Sequence, residues 1–165
     1  MSDVYLRAFN PADWDGLCRV YDLATVQELA RAGVDPNAFR PMSQEANRDE
    51  FFSKERGVVA CIIKEIVGFA AWRDGGYLSW LYVEPTHQGK GIGNKLMSEA
   101  MKDLGAQAWT LTKKGNDPAV KLYQKHGLQI VRERAGSTWG YPHIELRLAL
   151  PTSRRFDPTV RSFGA

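Results

Sequence analysis

Residues 88–93, with the sequence Gln-Gly-Lys-Gly-Ile-Gly, have the types and spacing best suited to chemistry in this chain. They follow a strand-like run, residues 77–85, and precede a segment with helical apolar spacing. The apolar residues of that segment are Leu96, Met97, Ala100, Met101 and Leu104. Glycine lets the backbone approach a ligand closely, and the free N–H groups at a helix N-terminus attract phosphate. The order of strand, glycine-rich turn and amphipathic helix therefore predicts a diphosphate site.

Two better-known phosphate-binding patterns do not match this turn. A Walker A loop requires Gly-x-x-x-x-Gly-Lys-Ser/Thr, whereas Asn94 and Lys95 follow the last glycine here. The dinucleotide fingerprint requires Gly-x-Gly-x-x-Gly, and the glycines at positions 89, 91 and 93 are spaced differently. At this point the remaining alternative is a glycine-rich turn that only begins a helix.

A second motif lies downstream, after the strand-like segment 108–112. In residues 116–128, an asparagine is followed by an alanine, by Leu-Tyr and by Lys-x-Gly with an apolar residue. The two motifs in this order resemble the GNAT superfamily of N-acetyltransferases, which bind acetyl-coenzyme A. The resemblance covers residues 58–148, and the amino-terminal third fits the family in layout only. It implies that acetyl-CoA is the acyl-donor substrate, with no metal.

The resemblance also implies where the cofactor arm binds. In the family, the strand before the phosphate loop splays from its neighbour, and its free backbone groups pair with pantetheine. By position this role falls to Leu81, Tyr82 and Val83, with the Val83 N–H a candidate to polarise the thioester carbonyl. Ordinary sheet pairing is the alternative for these residues.

The pyrophosphate is expected on the loop itself, mainly through backbone N–H groups. Lys90 adds positive charge near it, although Lys90 and Lys95 fit solvated surface positions equally well. The residues assigned to this part of the site are Gln88, Gly89, Lys90, Gly91, Ile92, Gly93, Asn94 and Lys95.

Acetyl transfer to an amine requires a neutral amine, a stabilised carbonyl oxygen and a thiolate that can leave. By resemblance, Asn116 binds the pantetheine amide, with a plain helix cap as the alternative. Tyr123 is the candidate acid for the thiolate, because phenol and thiol differ by only about 1.5 pKa units. A buried helix aromatic is its alternative. Lys125 is expected near the nucleotide end of the cofactor.

The sequence does not single out one residue as the general base. Many family members carry an acidic residue two positions before Leu81, and this chain has Ser79 there. His143 has a suitable ordinary pKa, near 6.5, and its hairpin borders the acceptor site in the family. A water relay without a dedicated base is the alternative to His143.

Apolar periodicity indicates the elements that position these residues. Residues 4–8 alternate as a strand, and Asn10-Pro11 predicts a helix start that continues to about Ala32. Ser43 is expected to cap a second helix. The later strand-like runs are 58–63, 66–72, 77–85, 108–112, 127–131 and 143–148. They predict an α/β domain whose mixed, mostly antiparallel sheet has about seven strands flanked by about four helices, and the resemblance adds splayed central strands that form the CoA cleft.

The overall composition limits location and partners. The 165 residues suit one domain, assigned to residues 2–150, followed by a basic extension over 151–165. No apolar run reaches the roughly 18 residues of a membrane span and no signal peptide begins the chain, so we expect a cytoplasmic protein without membrane contact. The net charge of +3 is spread among acidic residues, which does not suggest nucleic-acid binding. Cys18 and Cys61 are expected to be free thiols.

The acceptor is a small-molecule or peptide amine, and nothing in the sequence names it. The regions expected to line its pocket carry several aromatic and acidic residues. They are Trp72, Tyr77, Trp80, Trp139, Tyr141, Glu28, Asp35, Glu45, Asp49 and Glu50. A non-catalytic acyl-CoA-binding module and a transferase for a longer acyl group are the alternatives, and a homodimer stays open.

Overall fold

The computed structural model describes residues 3–135 and 142–148 of the chain. In these ranges the strands are β1 Val4–Ala8, β2 Arg56–Ile62, β3 Glu65–Arg73, β4 Tyr77–Val83, β5 Trp109–Lys113, β6 Leu128–Arg134 and β7 His143–Leu148. The α-helices are α1 Trp14–Arg31, α2 Met42–Glu45, α3 Arg48–Lys54, α4 Ile92–Leu104 and α5 Asp117–Lys125. The extension at residues 151–165 lies outside the described residues.

The seven described strands form one sheet in the order β1-β2-β3-β4-β5-β7-β6. Neighbouring strands are antiparallel except β4 and β5, which run parallel. The mixed, mostly antiparallel α/β architecture predicted from the sequence is confirmed. Five α-helices flank this sheet in the described ranges, against the expected four or so, because the second predicted helix is divided.

The division of that helix corrects the role expected for Ser43. Helix α2 ends at Glu45, and Ala46 adopts extended backbone with φ −141° and ψ 139°. Asn47 then caps α3, since its side-chain oxygen accepts hydrogen bonds from the N–H groups of Asp49 and Glu50, both at 3.1 Å. Asparagine is among the strongest N-cap residues, so Asn47, four positions after Ser43, begins a new helix, and Ser43 itself lies inside α2.

The hydrophobic core lies on both faces of the sheet. On one face α4 buries Ile92, Leu96 and Met97 against β2, β3 and β4. On the other face α1 buries Leu17 and Val20 against the same strands, and α3 adds Phe51. Strands β2, β3 and β4 are therefore covered on both faces of the sheet, which fixes the orientation of β4 and of the loop that follows it.

The two parallel strands at the centre of the sheet separate along their length. Only two residue pairs, Tyr77 with Trp109 and Leu78 with Thr110, join β4 to β5. Beyond Leu78 the strands diverge, while β4 stays paired with β3 as far as Val83. The splay predicted from the family resemblance is present, and it opens a gap at the centre of the fold.

Asp13 fixes the entry into α1. Its carboxylate accepts two hydrogen bonds from Arg7, each at 2.8 Å, and one from the Asn10 N–H at 2.9 Å. The Asn10 side chain in turn accepts from the Ala12 N–H, which completes a capping box at the predicted helix start. The hydrogen bonds from Arg7 lower the pKa of the buried Asp13 carboxyl.

Asp13→Asn should therefore destabilise the protein in a pH-dependent manner. A lowered folded-state pKa stabilises above the unfolded value, near 3.9, and that stabilisation is lost as pH falls through the folded value. We expect a loss of about 2 kcal/mol in unfolding free energy at pH 7, since hydrogen bonds to charged groups contribute that much. The loss should shrink at pH 3 in urea titrations. Asp15→Asn, at an exposed position two residues later, should show a smaller loss; an equal loss would remove the buried pair as the cause.

Two further expectations from the sequence concern the cysteines and membrane-spanning helices. Cys18 and Cys61 are free thiols, as predicted, and Cys61 is buried. None of the described helices combines the length and the apolar character that a bilayer crossing requires.

Candidate active site

The gap between β4 and β5 holds two adjoining cavities, of about 250 Å³ and about 210 Å³. The cavity of about 210 Å³ extends towards the glycine-rich loop and is here called the donor cavity. The cavity of about 250 Å³ extends towards β5 and β7 and is called the acceptor cavity. Six residues line both of them. They are Glu28, Leu81, Tyr82, Asn116, Ala119 and Tyr123. A molecule in either cavity can therefore contact these six residues, which are here called the shared wall.

The donor cavity brings together many of the residues assigned to the cofactor. From the loop and the start of α4 it contains Gln88, Gly89, Ile92 and Gly93, and from β4 it contains Val83. Helix α1 adds Ala24, Gln27 and Arg31, which the sequence did not indicate, and Glu28, which was expected at the acceptor pocket. The amino-terminal third thus contributes one wall of the donor cavity.

The three glycines of the loop have different roles. Gly89 and Gly91 have φ of +75° and +83°, and a Cβ on either would meet nothing within 4 Å. These values lie in the left-handed region that favours glycine, so the turn requires both, and the space above them is open. Gly93 has ordinary helical backbone, but a Cβ there would lie 3.3 Å from Leu122 of α5. Gly93 thus allows α4 and α5 to approach closely.

The edge of β4 presents backbone groups to the gap. Glu84 N–H donates to the Val67 oxygen at 2.8 Å, so the backbone groups of Glu84 point to β3. Because these groups alternate along a strand, those of Leu81 and Val83 point away from β3, where no β5 residue is in register with them. This is the side on which the pantetheine arm was expected, and ordinary pairing with β5 is wrong for Leu81 and Val83. The backbone groups of Tyr82 alternate with theirs and point to β3, so ordinary sheet pairing is correct for Tyr82 and its expected backbone role is wrong.

Gln88 holds the loop against this edge. Its side-chain nitrogen donates to the Val83 oxygen at 3.0 Å, and Arg31 of α1 donates to its side-chain oxygen at 3.4 Å. The Gln88 side chain is therefore engaged with protein groups, which positions the loop between β4 and α1.

Tyr123 lies in the wall shared by the two cavities and is 6% exposed. Burial, and next the nearby Glu28, raise the pKa of its phenol above the ordinary value, while Thr110 opposes the shift. Tyr123 therefore keeps its proton at physiological pH. The sequence alone predicts that the pKa of the Tyr123 phenol lies only slightly above the pKa of a thiol. Burial of Tyr123 widens this difference, although burial also raises the pKa of a thiol.

Asn116 is buried at the N-terminus of α5 and lines both cavities. Asn116 is the N-cap residue of α5, as the helix-cap alternative expects, but its side chain makes no capping hydrogen bond to the helix. Its nitrogen donates to the Thr112 hydroxyl at 3.4 Å, a long contact. The amide is thus directed into the gap, where the family resemblance places a partner for pantetheine.

The acceptor cavity is lined by acidic and aromatic side chains. Glu28 and Glu45 line it with Tyr21, Tyr77 and Trp80. Glu28 is nearly buried and pairs with Lys113 Nζ of β5 at 2.9 Å. His143, the candidate base, also lines this cavity, as does Ser79.

Several residues expected at the acceptor site lie elsewhere. Asp35, in the turn after α1, and Asp49 and Glu50, on α3, are exposed and do not line the acceptor cavity. Trp72 packs on the α4 face, where its indole N–H donates to Asp103 at 2.6 Å. Trp139 and Tyr141 lie outside the described residues.

Five residues assigned to the cofactor do not line either cavity among the described residues. Lys90, Gly91, Lys95 and Lys125 are exposed. The Asn94 side-chain oxygen lies 3.1 Å from His126 Nε2, which directs it to α5. These positions suit contacts with parts of a ligand that extend beyond the cleft, and for Lys90 and Lys95 they equally suit the solvated alternative.

Comparison with known proteins agrees with this geometry. The family model described as "Acetyltransferase (GNAT) domain" matches residues 51–130. YjcF of Bacillus subtilis, an uncharacterised N-acetyltransferase, is 30% identical over 108 residues, covering 62% of this chain and 76% of YjcF.

Two solved structures show the same fold. A GCN5-related N-acetyltransferase of Rhodopseudomonas palustris has a TM-score of 0.73 at 20% identity, covering 91% of this chain and 98% of that one. The putative acetyltransferase yncA of Salmonella typhimurium, solved with its cofactor acetyl-CoA, has a TM-score of 0.67 at 20% identity, covering 93% and 98%.

Proposed function

The chain belongs to the GNAT superfamily of acetyltransferases, and from this premise we propose that it transfers an acetyl group from acetyl-CoA to a primary amine. Both substrates are bound together, and the amine attacks the thioester directly. The observation that carries the proposal is the meeting of the two cavities at one wall. A donor in one and an amine in the other contact Leu81 and Tyr123 from opposite sides.

The donor substrate is held by backbone groups more than by charged side chains. The N–H groups at the start of α4 and the open turn at Gly89 and Gly91 suit the pyrophosphate. The backbone of Leu81 and Val83 suits the pantetheine amides, as an added strand would, and Asn116 supports a further amide contact. A backbone N–H of β4 stabilises the charge that develops on the carbonyl oxygen.

Tyr123 supplies the proton for the leaving group. The amine nitrogen forms the new C–N bond as the C–S bond breaks, and the sulfur takes the phenolic proton. The buried environment keeps Tyr123 protonated until that step. Holding both reactants in the adjoining cavities supplies the larger share of the acceleration, since orientation alone contributes roughly 7–11 kcal/mol.

The lining of the acceptor cavity favours a cationic amine with an apolar or cationic remainder. Carboxylates attract ammonium groups, and aromatic faces such as those of Tyr77 and Trp80 stabilise cations. The Lys113 ammonium on Glu28 is a resident example of such a contact. An acceptor with a free carboxylate would meet Glu28 and Glu45 with like charge.

A panel of amines tests this proposal through release of CoA from acetyl-CoA. We expect kcat/KM for diamines or aminoglycosides to exceed that for α-amino acids of similar size by about tenfold or more, a difference of 1.4 kcal/mol. A carboxylate-bearing acceptor that reacts equally well would contradict the cationic preference. Acetyl-CoA binding without transfer to any amine or peptide would instead favour a non-catalytic acyl-CoA-binding module.

A further inference from the structure

We propose that Ser79 and Glu55 form a proton relay for the acceptor amine, with Ser79 touching the amine and Glu55 receiving the proton. The proposal rests on the acetyl transfer proposed above and assigns the base that the sequence left open. Glu55 is a positioning residue in this scheme because it acts through Ser79.

A bulge in β4 directs Ser79 to the acceptor cavity. Ala71 is in register with Trp80 and Trp72 with Leu78, so Ser79 is the extra residue between them. Bulges re-aim side chains and often lie beside active sites. Ser79 lines the acceptor cavity, two residues before Leu81 of the shared wall.

The Ser79 hydroxyl meets a buried carboxylate from another part of the chain. Ser79 Oγ lies 2.5 Å from Glu55 Oε2 and 3.1 Å from the Ala71 oxygen. The Glu55 side chain is 1% exposed and follows α3 directly. A serine has one hydrogen to donate, and the much shorter contact assigns it to Glu55.

The second carboxylate oxygen of Glu55 has its own partner. Arg73 of β3 donates from Nε to Oε1 at 2.5 Å. The ion pair fixes the plane of the carboxylate and leaves Oε2 directed at Ser79. The carboxylate that many family members carry in this strand is thus replaced here by a serine backed by a glutamate from outside the strand.

The proton movement balances. The amine gives one N–H proton to Ser79 Oγ while the Ser79 hydroxyl proton moves to Glu55 Oε2. Serine is unchanged, the carboxylate becomes a carboxylic acid, and the nitrogen lone pair becomes available to form the C–N bond. Glu55 also lines a separate cavity of about 140 Å³, which offers the proton a route to solvent away from the acceptor.

Other charged and titratable groups surround this carboxylate, and their charges contribute to any pH dependence. The charged residues that line the cavities around Glu55 are Glu45 of α2, Glu50 and Lys54 of α3, Arg56 of β2, Arg73 of β3, and Glu99, Lys102 and Asp103 of α4; Tyr77 of β4 interacts with Glu55 electrostatically. Control variants must therefore keep the local charge change the same while leaving the Ser79 contact intact.

The relay is tested by the pH dependence of kcat/KM in Glu55→Gln and Ser79→Ala. Without a relay the amine must lose its proton to water first, so the rate should rise about tenfold per pH unit up to the pKa of the amine. We expect both variants to lose about 10²-fold in kcat/KM at pH 7 and to approach wild type at high pH. Asp49→Asn, an exposed carboxylate on α3 that lines neither of these cavities and undergoes the same charge change, should keep the wild-type profile.

A rescue variant separates the relay from a structural role. Ser79→Asp combined with Glu55→Gln places a carboxylate directly at the cavity, and we expect it to recover activity near pH 7. Wild-type pH profiles in both single variants, or no recovery in the double variant with acetyl-CoA binding intact by calorimetry, would overturn the relay while leaving the transferase standing. A wild-type protein that binds acetyl-CoA and acetylates no amine overturns the proposed function and the relay with it.

Discussion

Gly91→Glu should abolish acetyl-CoA binding. Gly91 has φ +83° at the N-cap of α4, so any side chain there strains the backbone by about 1–2 kcal/mol. A Cβ at this position meets open space, and the added carboxylate would occupy the place that suits the pyrophosphate. Like-charge repulsion at about 4 Å adds roughly 1–4 kcal/mol. We expect affinity to fall by at least about a hundredfold in calorimetry, which corresponds to about 2.7 kcal/mol.

Gly75→Glu is the matched control for this change. Gly75 has φ +86° in the turn between β3 and β4, and a Cβ there also meets nothing within 4 Å. Its backbone strain and added charge are therefore the same, but it lies away from the donor cavity. We expect comparable destabilisation in both variants and loss of binding in Gly91→Glu alone. Unchanged affinity in Gly91→Glu would refute the placement of the pyrophosphate at this turn.

Tyr123→Phe should lower turnover far more than cofactor affinity. The change keeps the ring, which fills the shared wall, and removes the hydroxyl group whose proton the leaving sulfur requires. General acid catalysis contributes about 10²–10⁴-fold, so we expect kcat to fall by about a hundredfold or more. Calorimetry should show nearly unchanged acetyl-CoA affinity, because a thioester sulfur is at most a weak acceptor.

Tyr5→Phe provides the control for loss of a phenolic hydroxyl. Tyr5 is an exposed residue of β1 whose hydroxyl donates to the Ile63 oxygen, remote from the cleft. It should retain wild-type turnover. Equal kcat in Tyr123→Phe and wild type would remove Tyr123 as the acid, and a parallel loss of affinity would make it a binding residue.

The strand, loop and helix around residues 88–93 were predictable because their signals are local. Glycine order and apolar spacing are properties of neighbouring residues, and the structure forms these elements where the sequence placed them. The division between α2 and α3 was missed because Ser43 and Asn47 are both good N-cap residue types within one short segment. In the structure Ser43 lies inside α2 and Asn47 caps α3, whose Phe51 packs against Trp14 and Trp80.

The polar lining of the acceptor cavity depends on contacts between distant parts of the chain. Glu28 meets Lys113 across 85 positions, and Glu55 meets Ser79 across 24. Nothing near Glu55 in sequence distinguishes it from the solvated glutamate at position 50. The serine in place of a family acid was the only available signal, and it indicated a missing carboxylate without indicating its source.

The separation of β4 from β5 has a mechanical consequence. The sheet is divided into two leaves, β1–β4 with α1 and α4 and β5–β7 with α5, which share two residue pairs at one end. The leaves are also joined by side chains, through Lys113 on Glu28 and the contact of α4 with α5 at Gly93. A ligand whose amides pair with the free edge of β4 and whose other side meets α5 would replace the missing strand pairing and join the two leaves along the gap. We expect a bound donor substrate to stiffen the cleft between Tyr123 on one leaf and Ser79 on the other.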